Sequence, residues 1–206
     1  MHCSNGPLKS RLNNWLDAFQ LISYLVGILW CVALLNHIQG YGFNQFGIYP
    51  RHVDALPGIF LWVLLHGDFT HLIMNTTPLF FLGFFVALRG PLLFFKITFT
   101  VWLLAGLCVW LGGRPAVHIG ASGLVFGYFG FLLAVAIYER SLVDLAVASV
   151  TIFYYGGMFF GLLPTAPFVS WESHIAGMVM GVVAARIYGK DWVRAESFHE
   201  NSSDNR

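Results

Sequence analysis

Seven polar side chains lie within or at the ends of apolar runs: His66, Asp68, His71, Asn75, Ser122, Glu172 and His174. In a membrane such groups are costly, and by default they mark a buried or water-filled functional cavity. Two chemistries use residues of these types. A serine hydroxyl beside an imidazole is the minimum for an activated nucleophile, and Ser122 with His174 can supply it. A metal site would instead draw its ligands from His66, Asp68, His71 and His174. His66 and His71 are five residues apart, however, off the HxxxH spacing that puts two imidazoles on one helical face. Neither a metal nor any other cofactor is therefore expected.

Each residue also has a purely structural reading. A serine in an apolar helix commonly packs or bonds back to its own backbone, and a lone histidine near a helix end commonly sits at the membrane interface. The small residues Gly123, Gly127 and Gly130, with Ala176, Gly177 and Gly181, have spacings that let two helix backbones approach closely. If those two faces touch, Ser122 and His174 come to the same end of one contact. The structural reading then supports the chemical one.

The elements that must position these groups are read from composition and hydropathy. Of 206 residues, 57% are hydrophobic and 10% charged, against roughly 25% charged in a soluble domain, which points to a membrane protein. A net charge of +1 with scattered basic residues excludes a nucleic-acid surface. Cys3, Cys31 and Cys108 are far apart and form no CxxC pair, so neither a disulfide framework nor a thiolate metal site is indicated.

Residues 1–18 form a polar N-terminal segment, and an apolar run from Phe19 to about His37 follows, too long for a cleavable signal peptide. Residues 38–57 make a long loop rich in aromatics and turn formers, expected at one interface. Gly58 to Leu65 is too short to span and is expected to be a partly inserted helix of that loop. Further spans are predicted at about Phe69 to Leu88, Leu92 to Leu111, Ile119 to Tyr138, Leu142 to Leu163 and Trp171 to Tyr188, bounded by Gly and Pro or by short polar turns. Residues 19–188 thus form one six-span domain, and 189–206 a hydrophilic tail.

Six spans put both termini on one side. Lys9, Arg11, Arg89, Lys96, Arg140, Arg186, Lys190, Arg194 and Arg206 then fall together, and only Arg51 and Arg114 lie opposite. The excess of positive charge assigns the first group to the cytoplasm. The second, fourth and sixth spans accordingly start from the outer face. His71 and Asn75 open the second span on one helix face, Ser122 the fourth and His174 the sixth. At 1.5 Å rise per residue all four lie roughly 5 to 10 Å below the outer surface.

Three ordered segments resemble the rhomboid intramembrane serine proteases. His66-Gly67-Asp68-Phe69-Thr70-His71-Leu72-Ile73-Met74-Asn75 looks like that family's HxxxxHxxxN segment. Gly120-Ala121-Ser122-Gly123 looks like its GxSG, and His174-Ile175-Ala176-Gly177 with Gly181 like its HxxGxxxG. The resemblance covers about Phe19 to Tyr188. It implies an all-α integral membrane protein, a six-transmembrane-helix bundle with a long, partly inserted first outer loop and a water-accessible site open to the outer side. It also implies that Ser122 is the nucleophile and His174 its general base, without an acidic third member. His71 and Asn75 would form the oxyanion hole with the Ser122 N–H, and His66 would be an accessory residue. Gly120 and Gly123 are expected to keep the approach to the serine clear, and Phe126 to stack on the catalytic imidazole without the hydroxyl some relatives carry there. The Trp-Arg pair of many members is absent: Val63 follows Trp62, and the loop's arginine is Arg51.

The implied activity is endopeptidase cleavage in or near transmembrane segments of single-span or other membrane proteins that enter laterally from lipid. Only a helix that unwinds locally can offer a scissile carbonyl. Phe153, Phe159, Phe160 and Phe168 are candidate gate residues. Besides substrates, the partners are membrane lipids, nothing points to a particular oligomeric state, and the compact form resembles bacterial inner-membrane members with both termini cytoplasmic. Two other classes compete. A catalytically silent relative could bind or chaperone membrane helices, but such forms usually lack the serine or histidine. A transporter would want broken helices and paired charges near the midplane, whereas the charges here sit at helix ends.

Overall fold

In the computed structural model residues 7–164 and 169–203 are described, with side chains from 14 to 164 and from 169 to 189. Phe168, a candidate gate residue, lies outside the described residues, as do residues 1–6 and 204–206. The described chain is helical throughout apart from its turns and loops. An isolated antiparallel bridge between Ile48 and His118 is its one β feature.

Helix α1 runs Pro7–Ile38, α2 Gly58–Leu61, α3 Phe69–Ala87, α4 Pro91–Gly112, α5 Ser122–Glu139, α6 Leu142–Tyr155 and α7 Trp171–Ser203. Short 3-10 turns cover Gly42–Phe46, Val53–Ala55 and Gly156–Leu162. Among the described residues five segments are long and apolar enough to cross a membrane: Asn14–Ile38, Phe69–Ala87, Pro91–Gly112, Ser122–Glu139 and Leu142–Leu162. The molecule is an all-helical integral membrane protein. Helix α7, which carries Glu172, His174 and Arg186, is not among those five.

Several boundaries differ from the sequence expectation. The polar segment before Phe19 is helical from Pro7, because proline is well suited to a first helical position and nothing after it breaks the helix. The run Leu142 to Leu163 is not one helix: α6 stops at Tyr155, and the Gly156-Gly157 pair passes into a 3-10 turn. The fourth span begins at Ser122 rather than Ile119, since Gly120 has φ +118 and the residues before it pair with Ile48. Past Tyr188, the segment expected as a tail continues α7 as helix to Ser203.

Helix α5 is the most enclosed of the five spans and α6 the least. Glycine explains how α5 and α7 meet. A Cβ at Gly177 would overlap the Gly123 carbonyl, one at Gly181 the Gly127 carbonyl, and one at Gly130 would come 2.5 Å from the Met178 carbonyl. The two backbones are therefore in direct contact along the face that the small residues marked. Helix α4 is tied to α5 by a buried hydrogen bond between the hydroxyls of Thr98 and Tyr128, 2.7 Å apart.

At the end of the bundle away from Ser122, Arg89 pairs with Glu139 at 3.4 Å and with Asp144, joining the ends of α3, α5 and α6. At the opposite end Arg51 donates to the carbonyls of Leu111 and Gly113. Arg114 there pairs with Glu172 at 3.4 Å. The first loop is thereby fastened to the end of α4, and the α4–α5 connection to the start of α7.

Candidate active site

Ser122 is the first residue of α5, so its backbone N–H has no acceptor within the helix. His174 stands in the first turn of α7 and is buried. The glycine contact between these helices sets their ends side by side, with His174 Nε2 2.9 Å from Ser122 Oγ. The other ring nitrogen, Nδ1, lies 2.8 Å from the Gly161 carbonyl oxygen. A carbonyl can only accept, so Nδ1 carries the proton and Nε2 is left to accept the serine O–H. The Phe126 ring stacks on the imidazole at 4.2 Å and 10° between planes. The tautomer and the plane of the base are thus both held.

His71 and Asn75 project from the first two turns of α3. Asp68 caps that helix by accepting the His71 backbone N–H at 2.7 Å. The Gly67 N–H donates to His71 Nδ1 at 3.5 Å, which leaves the ring proton on Nε2. The Asn75 side-chain nitrogen is buried and has no hydrogen-bond partner. Both donors face the α-carbon of Gly120: a Cβ there would lie 2.7 Å from His71 Nε2 and 3.6 Å from Asn75 Nδ2. Glycine at 120 keeps this space open, and its φ of +118 is one that other residues rarely adopt.

His66 is 1% exposed and accepts the backbone N–H of Ala121 through Nε2 at 3.3 Å. It fixes the residue just before the serine and does not itself reach the serine. Its own loop is held by the buried Asn36, whose amide lies 3.5 Å from the His66 carbonyl oxygen and 2.8 Å from Asn44 Oδ1. Burial, reinforced by the neighbouring His71, lowers the His66 pKa from 6.5 to about 4, so the ring is neutral at physiological pH.

The ring nitrogens of His174 and His71 and the Nε2 of His66 are each engaged by a hydrogen bond or committed as a donor. Among the described residues no group of three or more His, Cys, Asp or Glu is placed to hold a metal ion. The arrangement suits acyl transfer: a hydroxyl, an oriented base, and unpaired donors on one side of it.

The family model for the Rhomboid domain matches residues 55–191, from just before α2 through the site-bearing part of α7. The chain belongs to the rhomboid family. Uncharacterized proteins of Mycobacterium bovis and Mycobacterium tuberculosis are each 38% identical to it over 180 residues, 83% of this chain and 75% of theirs. One from Mycobacterium leprae is 32% identical over 204 residues, 95% of this chain and 81% of its own.

Within this rhomboid, Gly123 has a packing role: a Cβ there would run into the Trp62 ring and the Ser173 carbonyl. Trp62, fully buried, donates from Nε1 to the Trp102 carbonyl at 3.3 Å and wedges the short helix α2 against α4 and α5. Phe153, Phe159 and Phe160 are all exposed, and Phe159 also meets Phe129 of α5 edge-on at 5.2 Å. Three participants carry no signal in the sequence pattern: the Gly161 carbonyl, Asn36 and His118. His118 is buried in the segment leading to Ser122 and bonds Ser170.

Proposed function

We propose that this rhomboid is an intramembrane serine endopeptidase with Ser122 as nucleophile and His174 as general base. The observation that carries this reading is the directed relay in which Ser122 O–H faces His174 Nε2 while Nδ1–H is held by the Gly161 carbonyl. The backbone carbonyl does for the imidazole what a carboxylate does in a three-membered triad: it fixes tautomer and orientation.

In the first half-reaction Ser122 Oγ attacks a peptide carbonyl carbon as its proton passes to His174 Nε2. The carbonyl oxygen becomes an oxyanion, placed to receive the Ser122 N–H, the His71 Nε2–H and the Asn75 amide. Collapse breaks the C–N bond, and the proton on Nε2 goes to the leaving amine. In the second half-reaction water loses a proton to Nε2 and attacks the acyl-serine. Release of the carboxylic acid returns the proton to Oγ. His66 holds the nucleophile's turn in place, and Phe126 holds the ring.

With α7 taken as the sixth span, both termini lie in the cytoplasm and the dyad lies near the outer face, where water reaches it. Substrates are transmembrane proteins with a helix weakened near its outer end, entering from lipid past the loosely packed α6. A bacterial inner membrane fits this arrangement.

The test is fluorophosphonate labelling of the purified protein against Ser122→Ala and His174→Ala, paired with cleavage of a panel of single-span substrates in proteoliposomes. Labelling and cleavage by the wild type, lost in both variants, is the expected result. Equal labelling of all three overturns the assignment and leaves a silent, helix-binding rhomboid.

A further inference from the structure

A second serine–histidine pair lies beside the first. His118 Nδ1 is 2.5 Å from Ser170 Oγ, and the two residues are 52 apart in sequence, the same separation as Ser122 and His174. Each member precedes its counterpart by four residues, with the types exchanged: His118 leads into Ser122, and Ser170 into His174. His118 Nε2 lies 3.1 Å from the Arg114 carbonyl, so it carries the proton, and Nδ1 accepts the Ser170 O–H.

The surroundings make this pair a brace and not a second nucleophile. The Ser170 carbonyl accepts from the Ser173 hydroxyl at 2.6 Å and from the backbone N–H groups of Ser173 and His174, which locks Ser170 into the start of α7. The nearby charges are the Glu172 carboxylate, whose Oε2 is buried without a hydrogen-bond partner, and the Arg114 guanidinium, and they are committed to each other and not to an oxyanion. Glu172 Oε1 instead takes Arg114, from both the backbone N–H and Nε at 3.4 Å, while Arg114 Nη2 donates to the Val169 carbonyl at 2.5 Å. On its other side His118 exchanges two backbone hydrogen bonds with Ile48, 2.8 and 3.1 Å long. The first loop, through the His118 backbone, and the approach to His174, through the His118 ring, therefore converge on one buried residue in the approach to Ser122.

We propose that His118 is a positioning residue: by bonding Ser170 it sets the register of the α5 and α7 N-termini and hence the distance between Ser122 and His174. This rests on the serine endopeptidase reading above. Small displacements of reacting groups are costly, about 100-fold in rate for 1 Å, so a lost register shows in turnover and not in substrate affinity.

The experiment measures the fluorophosphonate labelling rate, kcat and KM for the full-length wild type, His118→Ala, His118→Asn, Ser170→Ala and the His118→Ala/Ser170→Ala double variant, with Ser122→Ala as blank. Thermal unfolding checks that each is folded. His118→Ala and Ser170→Ala are each expected to slow labelling and kcat about 10- to 100-fold with KM nearly unchanged. The double variant is expected to be no slower than the worse single, since both remove one contact. His118→Asn, whose Oδ1 can replace Nδ1 as acceptor for Ser170, is expected to recover most of the rate. If His118→Ala fails to fold, Ser170→Ala, which removes one oxygen, carries the test. Wild-type rates in the folded single variants, or multiplying effects in the double, overturn the proposal. So does phosphonylation of Ser170 found by mass spectrometry. An inert wild type instead overturns the endopeptidase reading and this inference together.

Discussion

The Gly161 carbonyl oxygen stands 2.8 Å from Nδ1 of His174, so a backbone group in the 3-10 turn after α6 decides which nitrogen of the base faces Ser122. The helix with the fewest packing restraints is thus followed by the turn whose carbonyl orients the His174 ring. A Cβ at position 161 would lie 3.0 Å from the Phe126 ring and 3.4 Å from His174 Nδ1, pressing on the stack and on the ring's donor nitrogen at once. Gly161→Ala is expected to lower kcat about 10-fold with little change in KM, short of the roughly 100- to 10,000-fold that general acid–base catalysis contributes. Steady-state cleavage kinetics in proteoliposomes check it, and an unchanged kcat would remove the carbonyl from the mechanism.

The oxyanion assignment makes a separate prediction. Asn75→Ala and His71→Ala each delete one donor, and each is expected to cost about 100- to 1000-fold in kcat. Gly120→Ala fills the space between those donors and forces a side chain into φ +118, so it should abolish turnover and weaken the fold as well. Burst and steady-state rates on one substrate separate the three. Near wild-type turnover in Asn75→Ala would show that its unpartnered amide has no part in the reaction.

Much of the site was legible in the sequence because the membrane supplies a ruler. Charge order assigns the side from which each span starts, and helix rise then sets depth, which placed His71, Asn75, Ser122 and His174 in one layer. The small-residue faces supplied the lateral contact. Backbone acceptors have no such signature: Gly161 depends on α6 giving way to a 3-10 turn at Gly156-Gly157, and a hydropathy window reads through that break. His118 lies in a connection that is neither periodic nor apolar, and Asn36 lies near the end of the first apolar helix, where a polar side chain reads as an interface group; tertiary contacts single both out. The packing role of Gly123 is hidden for a related reason. A glycine beside a nucleophile looks like access, and the bulk that demands it, Trp62, is 61 residues earlier in the chain.

Helix packing yields a prediction about stability. The Cβ of Gly177→Ala or Gly181→Ala would collide with backbone atoms of α5, which cannot move aside as a side-chain tip can. Each is expected to lower stability by at least the 1–3 kcal/mol or so of an overpacked core, and to separate Ser122 from His174. Gly112→Ala is the control, since nothing lies within 4 Å of a Cβ at that helix position. Thermal unfolding in detergent ranks the three. A Gly177→Ala protein as stable and active as the control would mean that α5 and α7 are not in backbone contact.

His66 makes stability depend on pH. Burial holds its pKa at about 4 in the folded protein, against 6.5 for an unperturbed histidine. Between these values the unfolded chain binds the extra proton and the folded one does not, so stability rises with pH through this window and is fully present above 6.5. On acidification it is lost progressively down to about pH 4, amounting to about 2 kcal/mol between pH 6.5 and 5. Protonation would also remove the acceptor for the Ala121 N–H and loosen the turn that carries Ser122. His118, whose pKa burial also lowers, adds a slope of the same sign. The contribution of His66 is therefore isolated by the difference between the wild type and His66→Gln. Unfolding measured from pH 7.5 to 5 should show the wild type losing stability more steeply than the variant, and parallel curves would place the His66 proton elsewhere.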